Sequence, residues 1–415
     1  MQIVIIGNSA AGLSGLEAFR KKDQSSSITI VAEEGEIPYS KVLLPYYLLG
    51  KIPYTNLFTR DKDYYAQLNA KCITGKVVKL LPEQQAVLLE SGTLLTYDKL
   101  LIATGSSPVK PPIPGLSGKG IYHLWTLTDV KNLSPYFKKG NRVVVLGSGF
   151  VSLQGAWAAL SRGLDVSVIE LMDRIMPRVL DDHAADLLAA RMIKSGVDLR
   201  VNTFTREIER TGDGKLVLHF KDGNSLTSDF IIVGTGVRPN VEFTAGTGIR
   251  IDAGIIVDKQ METTLPGIYA AGDVAQVPSA SGGDPVVHAL WPTAIETGGI
   301  AGTCMALGKS HYGGSLNMNV TQMFDITVAA MGEFMDIEGS ESWIDENLPE
   351  DQYLKIVLKG GVPIGAICAG GSELISTLGM LRPLIREKVR LQGKPGMLKS
   401  ILAKNIAQHH QAFVK

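Results

Sequence analysis

The strongest constraint on this chain is a pattern that it carries twice. Residues 2–6 are an almost wholly apolar run, as expected of a strand buried on both faces of a parallel sheet. The loop Gly7-Asn8-Ser9-Ala10-Ala11-Gly12 follows, and then a helical spacing through Leu13, Leu16 and Phe19. A polar stretch at 23–27 turns the chain into a second strand, 28–33, that ends on Glu33. From Asn141 the pattern recurs: a strand at 142–146, the loop Gly147-Ser148-Gly149-Phe150-Val151-Ser152, a helix to about Arg162, and a strand at 165–170 ending on Glu170. This is an internal repeat of one βαβ unit.

The loops carry chemistry. Glycine lets the backbone turn sharply and approach a pyrophosphate, while the following helix aims its amides and positive dipole end at the anion. In the first loop Gly7, Ser9, Ala10, Ala11 and Gly12 are the candidate cradle, with Ser9 in place of the middle glycine. The Glu33 carboxylate can accept from ribose hydroxyls. In the second, Gly147, Gly149, Phe150 and Val151 are the candidates, and Ser152 replaces the glycine that allows close helix–strand packing. Glu170 suits the free 2′-hydroxyl of NAD and repels a 2′-phosphate; the next basic residue is Arg174. A strand–helix turn without a ligand remains the alternative for the first loop, and a decayed site that only packs for the second.

The 415 residues allow two or three domains, and a zero formal net charge argues against a nucleic-acid binder. No leader pattern and no apolar run of membrane-spanning length is visible. The three cysteines, Cys72, Cys304 and Cys368, form no CxxC pair and no zinc spacing, which suits a reducing cytoplasm and leaves no metal site. Residues 74–104 read as β-rich, and Pro108, Pro111, Pro112 and Pro114 mark a domain junction. A meander at 199–234 ends in Gly234-Thr235-Gly236, and strand character at 254–275 ends in Gly272-Asp273. An Asp there can bind a polyol, although Gly-Asp is more often a plain turn. Beyond 317 the chain alternates over 317–331, becomes acidic, then strand-like at 353–368, then helical. Residues 333–351 hold eight acidic side chains and no basic one, whereas 381–415 hold eight Lys/Arg and one Glu.

Together these motifs resemble the two-dinucleotide-binding-domain flavoproteins of the pyridine nucleotide–disulfide reductase type, over about residues 1–330. The resemblance implies an α/β protein: two Rossmann-like three-layer domains plus an α+β C-terminal interface domain. FAD would be bound by 1–110 and 241–316, NAD by 111–240, and 317–415 would form the interface domain of a homodimer. The first loop, Glu33, Lys41, Val77, the Ala103-Thr104-Gly105 segment and Gly272-Asp273 would hold FAD. The second loop, Glu170 and Gly236 of the Thr235-Gly236-Val237-Arg238-Pro239-Asn240 segment would serve NADH and the return to the FAD domain. Phe150 falls where relatives place an aromatic over the flavin, and Gln154 where many have a Glu at the nicotinamide; ordinary helix-start packing is the equal alternative. Lys41 is equally readable as a solvated loop lysine.

One departure matters most. Coenzyme A disulfide reductases and NADH peroxidases place a redox cysteine before an LPYY stretch; here Val42 stands there, before Leu44-Pro45-Tyr46-Tyr47. The pattern is closer to rubredoxin and ferredoxin reductases, the flavoprotein portion of assimilatory nitrite reductases and the flavoproteins associated with carbon monoxide dehydrogenase. The implied activity is transfer from NADH through FAD to an external acceptor, an acidic redox carrier or partner metalloenzyme; the basic stretch from Arg382 to Lys404 could steer such a carrier, with a solvated helix face as the favoured alternative reading of that stretch. Two alternatives stay open, an NADH oxidase and a redox-responsive flavoprotein without useful turnover. The weakly amphipathic stretch 397–414 reads as packing on its own domain or a second subunit, with a membrane surface as the alternative. No catalytic side chain is required for hydride transfer, and none is assigned.

Overall fold

A computed structural model describes residues 1–345 and 348–391. The chain divides into two compact units. One comprises Met1–Leu43, Pro53–Ser107 and Val237–Leu316; the other comprises Leu44–Ile52, Pro108–Gly236 and the chain from Asn317 onward.

The first unit is built on β1 (Gln2–Ile6), α1 (Ala10–Arg20) and β2 (Ser27–Ala32). Its five-stranded sheet has the order Ile268–Ala270, Lys99–Ile102, β1, β2, Ala70–Thr74, with every pairing parallel. Ile3, Val4, Ile5 and Ile6 are all buried, in one core with Leu13, Leu16 and Phe19 of α1 and with Leu80, Val87 and Leu89 of the antiparallel sheet Val77–Leu81, Ala86–Leu89, Leu94–Thr96, which is why no polar residue alternates through β1. Leu16 and Phe19 of α1 are completely buried, each contributing about 1.5–3 kcal/mol. The other face of α1 meets the helix Trp291–Leu307 backbone to backbone. A Cβ on Gly298 would fall 2.2 Å from the Ala11 carbonyl oxygen, and one on Gly302 2.1 Å from that of Gly15.

The second unit repeats the topology with β3 (Arg142–Leu146), α2 (Phe150–Ser161), β4 (Asp165–Ile169) and α3 (Asp182–Lys194). Its sheet runs Asp198–Arg200, β4, β3, Phe230–Val233, Ile121–Tyr122, again all parallel. In each unit the strand order reverses beside the first strand, and that crevice at the strands' carboxyl ends is where open α/β sheets bind ligands. The segment Leu44–Ile52 belongs to the second unit, with Lys51 Nζ 4.6 Å above the Trp157 ring centre.

The same unit holds a five-stranded antiparallel sheet of order Met318–Met323, Ile326–Gly332, Val362–Gly370, Tyr353–Lys359, Ser340–Ile344. The strand-like run 353–368 forms a hairpin: Gly360 and Gly361, at φ +59° and +78°, turn it back on itself. The alternating stretch 317–331 is likewise two strands, turned at Phe324 and Asp325 with φ +51° and +58°. Neither residue is glycine, so the turn carried no composition signal. In the acidic segment Asp351 pairs with Arg191 at 2.7 Å and Asp336 with Lys355 at 3.5 Å. Of the expected basic stretch, Arg382 and Arg386 lie in the helix Glu373–Arg386, followed by Lys388 and Arg390; its remainder and the amphipathic stretch 397–414 lie outside the described residues. Among the described residues no helix is long and apolar enough to cross a membrane, and no group of His, Cys, Asp and Glu is placed to hold a metal.

Candidate functional site

In the first unit the crevice gathers four segments distant in sequence. Gly7 has φ +106°, and a Cβ there would fall 2.2 Å from the Ala103 carbonyl oxygen. A Cβ on Gly12 would fall 1.9 Å from the Gly7 carbonyl oxygen, so the helix start is pressed onto the strand end. Ser9 caps α1 with extended backbone but no side-chain hydrogen bond, and the first turn contains no acid. The leading amides, including those of Ala10 and Ala11, therefore keep their positive end uncompensated. Asn8 Nδ2 donates to the Gly35 carbonyl at 2.9 Å and fixes the loop after β2 beside them.

Gly272 and Asp273 lie against the same turn. Gly272 has φ +76°, a Cβ there would fall 2.9 Å from the Ala11 Cβ, and its amide donates to Thr297 Oγ1 at 3.0 Å. Asp273 accepts from Ser106 Oγ at 2.8 Å. Burial pushes its carboxyl above the usual range, against the hydrogen bond from Ser106 and the charge of Lys41. A half-buried carboxylate with one protein donor retains acceptor capacity for hydroxyl groups, as a ribityl chain requires. Thr104 and Asn240 bind each other: Thr104 Oγ1 donates to the Asn240 carbonyl and Asn240 Nδ2 to that of Thr104, both at 2.9 Å. The Asn240 amide also donates to the Gly105 carbonyl at 3.0 Å. Val77 is buried at the start of a strand. Glu33 is the exposed member of the set, its side chain 62% accessible and 3.0 Å from Lys76 Nζ. Lys41 pairs with Glu34 at 2.6 Å. This cradle fits the pyrophosphate and polyol of FAD: two glycines whose Cβ would collide, an open helix end and a half-buried acid.

The second crevice differs in detail. Gly147 has φ +94°, with its Cβ position 2.4 Å from the Gly234 carbonyl oxygen. Around Gly149, which caps α2, a Cβ would meet nothing within 4 Å, so a ligand has room there. Ser152 Oγ donates to the Gly234 carbonyl at 2.9 Å, and a Cβ on Gly234 would fall 2.0 Å from that Oγ. The space that a third glycine would leave on the helix is here left by Gly234. Glu170 is buried and engaged: Ser148 N and Oγ donate to Oε2 at 2.9 and 2.6 Å, and Met172 N donates to Oε1 at 2.9 Å. Phe150 and Val151 are half-buried in the first turn of α2. Gln154 Nε2 lies 3.4 Å from Thr321 Oγ1 of the antiparallel sheet. Gly236, at φ +101°, accepts from the Val109 amide at 2.9 Å.

Sequence reasoning missed Ser106, Asn8, Thr297 and Ser148. Ser106 directly follows the Ala103-Thr104-Gly105 segment, which was its only signal; the others needed the packing.

The thiols complete the picture. Val42 is 48% exposed in the 3-10 turn Lys41–Leu43. Burial pushes the half-buried Cys72 up to about 11 and the buried Cys368 up to about 12, and raises Cys304 as well. A thiol in that range is a negligible thiolate near neutrality and a poor nucleophile.

Residues 1–298 match the family model described as pyridine nucleotide-disulphide oxidoreductase. The chain is 31% identical over 368 residues to the NADH-dependent phenylglyoxylate dehydrogenase subunit epsilon of Aromatoleum evansii, covering 88% of this chain and 87% of that one. It is also 31% identical to the nitrite reductase [NAD(P)H] of Bacillus subtilis strain 168, across 90% of this chain but 46% of the larger enzyme. A crystal structure of the covalent putidaredoxin reductase–putidaredoxin complex superposes with a TM-score of 0.89 at 25% identity, covering 98% of each chain.

Proposed function

The chain belongs to the pyridine nucleotide-disulphide oxidoreductase family, and from that premise we propose that it is an FAD-dependent enzyme that oxidises NADH and hands the electrons to an external redox protein. The observation that carries the choice of acceptor is the thiol chemistry. Val42 occupies the place of a redox cysteine, and all three cysteines have thiols raised by burial. Electrons therefore have no internal disulfide to enter. The similarity to a reductase captured with its putidaredoxin supports a protein acceptor.

The residues divide the work. Gly7, Ser9, Ala10, Ala11 and Gly12 take the FAD pyrophosphate, and Glu33 takes its ribose. Asp273 holds the ribityl hydroxyls, while Lys41, Val77, Ala103, Thr104 and Gly105 line the rest. The Glu33–Lys76 pair is exposed and worth at most about 1 kcal/mol, so a ribose displaces it at little cost. Gly147, Gly149, Phe150, Val151 and Gly236 take NADH, with Gln154 at its nicotinamide end. Glu170 disfavours the 2′-phosphate of NADPH. Bound FAD supplies the conversion of a hydride into transferable electrons; the chain binds, orients and shields. The accompanying reading is a cytoplasmic homodimer whose carrier is acidic.

Anaerobic stopped-flow tests this. NADH should bleach the flavin faster than NADPH, and a rubredoxin- or ferredoxin-type protein should reoxidise it faster than oxygen does. Faster reoxidation by oxygen would make the enzyme an NADH oxidase. A flavin that NADH leaves oxidised would remove the catalytic reading altogether. Carrier reduction indifferent to ionic strength would exclude electrostatic docking.

A further inference from the structure

Strand Tyr353–Lys359 is buried at six of its seven positions, and one of the six is Lys355. The Lys355 side chain is 7% exposed, with Nζ 3.4 Å from Asp181 Oδ2 and 3.5 Å from Asp336 Oδ2. Tyr353 Oη donates to the same Asp181 oxygen at 2.9 Å, and burial beside that carboxylate raises the Tyr353 phenol. Buried ion pairs are poor stabilisers, because desolvation offsets most of the attraction. Stability alone gives no reason to prefer a lysine here over an apolar side chain; its placement does.

Asp181 ends a loop that starts at the second candidate site. Met172 N donates to Glu170 Oε1 at 2.9 Å, and Met176 N donates to Ser148 Oγ at 3.0 Å. Val179 and Leu180 donate to the Met176 carbonyl at 2.8 and 3.0 Å. Asp181 Oδ1 then accepts from Ala184 N at 3.1 Å and caps α3. Ile175, Met176 and Leu180 are buried, and Met176 is held at φ +48°, a conformation that a non-glycine residue keeps only under constraint. The loop is thus clamped at Ser148 and Glu170 on one side and at Asp181 on the other.

We propose that Lys355 is a positioning residue for NADH, acting through Asp181 and the 171–181 loop to hold Ser148 and Glu170 in the shape that receives the adenosine half of the nucleotide. The proposal rests on the reading of the 147–152 loop and Glu170 as the NADH site. It separates binding from chemistry. Hydride transfer takes place at the nicotinamide, so loosening the loop weakens NADH binding and leaves the turnover of bound NADH unchanged.

The test uses the FAD-loaded full chain, NADH as variable substrate and ferricyanide as acceptor. Lys355→Met should raise KM for NADH by about 2- to 30-fold, the range of couplings transmitted through packed networks, with kcat and flavin content retained. Lys355→Arg should restore most of the affinity, and Tyr353→Phe should give a smaller rise in the same direction. Unchanged KM in Lys355→Met overturns the proposal, as does a loss of flavin and kcat together that arginine fails to rescue. Should Lys355→Met fail to fold, Tyr353→Phe decides, and an unchanged KM in it overturns the proposal. Glu170→Gln separates the two levels. If it leaves NADH affinity intact, the site reading fails and the proposal with it. If it weakens NADH while Lys355→Met does not, only the proposal fails.

Discussion

The two βαβ units share strand order, parallel pairing and the left-handed glycine after the first strand, yet they close their crevices by opposite means. In the first unit the helix gives way. A Cβ on Gly12 would fall 1.9 Å from the Gly7 carbonyl oxygen, so only glycine fits. In the second unit the neighbouring strand gives way. Ser152 keeps its side chain and bonds the Gly234 carbonyl at 2.9 Å, and Gly234 leaves the space. The acids differ too. Glu33 is exposed beside Lys76, whereas Glu170 is buried with three donors. The lesson is that this fold needs a small shared volume at the helix start, and either partner can provide it.

The sharpest way to break the comparison is Gly12→Ala against Ser152→Ala. Gly12→Ala should yield protein without flavin absorbance and destabilise it by about 3 kcal/mol or more, since backbone must move. Ser152→Ala loses one hydrogen bond, about 1 kcal/mol, and should keep its flavin. Denaturant midpoints and the visible spectrum of the purified proteins decide. A yellow Gly12→Ala protein would sink the distinction.

Gly234→Ala comes next, at about 1–3 kcal/mol, because its methyl collides with Ser152 Oγ. The double variant Ser152→Gly/Gly234→Ala should recover most of that loss. A double-mutant cycle measures the exchange directly, and additive losses would show that the two positions do not share one volume.

The acids follow. Glu170→Gln turns an amide NH2 toward donors and should cost about 1–3 kcal/mol, while Glu33→Gln stays within about 0.5 kcal/mol. Equal thermal shifts in the two variants would contradict the structural difference between them.

Asp273 gives a smaller, pH-dependent effect. Its folded pKa is raised above the ordinary 3.8, chiefly by burial. The folded protein then holds this proton to higher pH than the unfolded chain does, so the stabilisation is full below the unfolded value and is lost as pH rises through the folded one. In FAD-free protein, Asp273→Asn should flatten the decline of melting temperature across that window while weakening FAD retention. A decline identical to that of the parent would remove Asp273 from the account. Smallest of all, iodoacetamide at neutral pH should leave NADH turnover unchanged, because none of the three thiols is ionised there; rapid inactivation would reinstate a working cysteine.

Much of this was legible in the chain. Gly7 and Gly147 announce their loops because φ +106° and +94° with a backbone approach of 2.2 and 2.4 Å admit no other residue, and Gly12 because a Cβ there would fall 1.9 Å from the Gly7 carbonyl oxygen. The apolar runs of β1 and β3 announce buried parallel strands because both faces are covered. The turn at Phe324-Asp325 was invisible, since its residues carry no glycine signal. Val42 was legible as an absence, and the raised thiols give it its weight.

What the sequence determined by itself is local: the periodicity of each strand and helix, the glycines at their junctions, and the acid ending each unit, all within some thirty residues. What only the tertiary structure decided is the set of partners that close each site. Ser106 meets Asp273 across 167 residues, Ser152 meets Gly234 across 82, and Tyr353 meets Asp181 across 172. Such pairs leave no local pattern, because their energies depend on burial and distance, which exist only once the chain has packed.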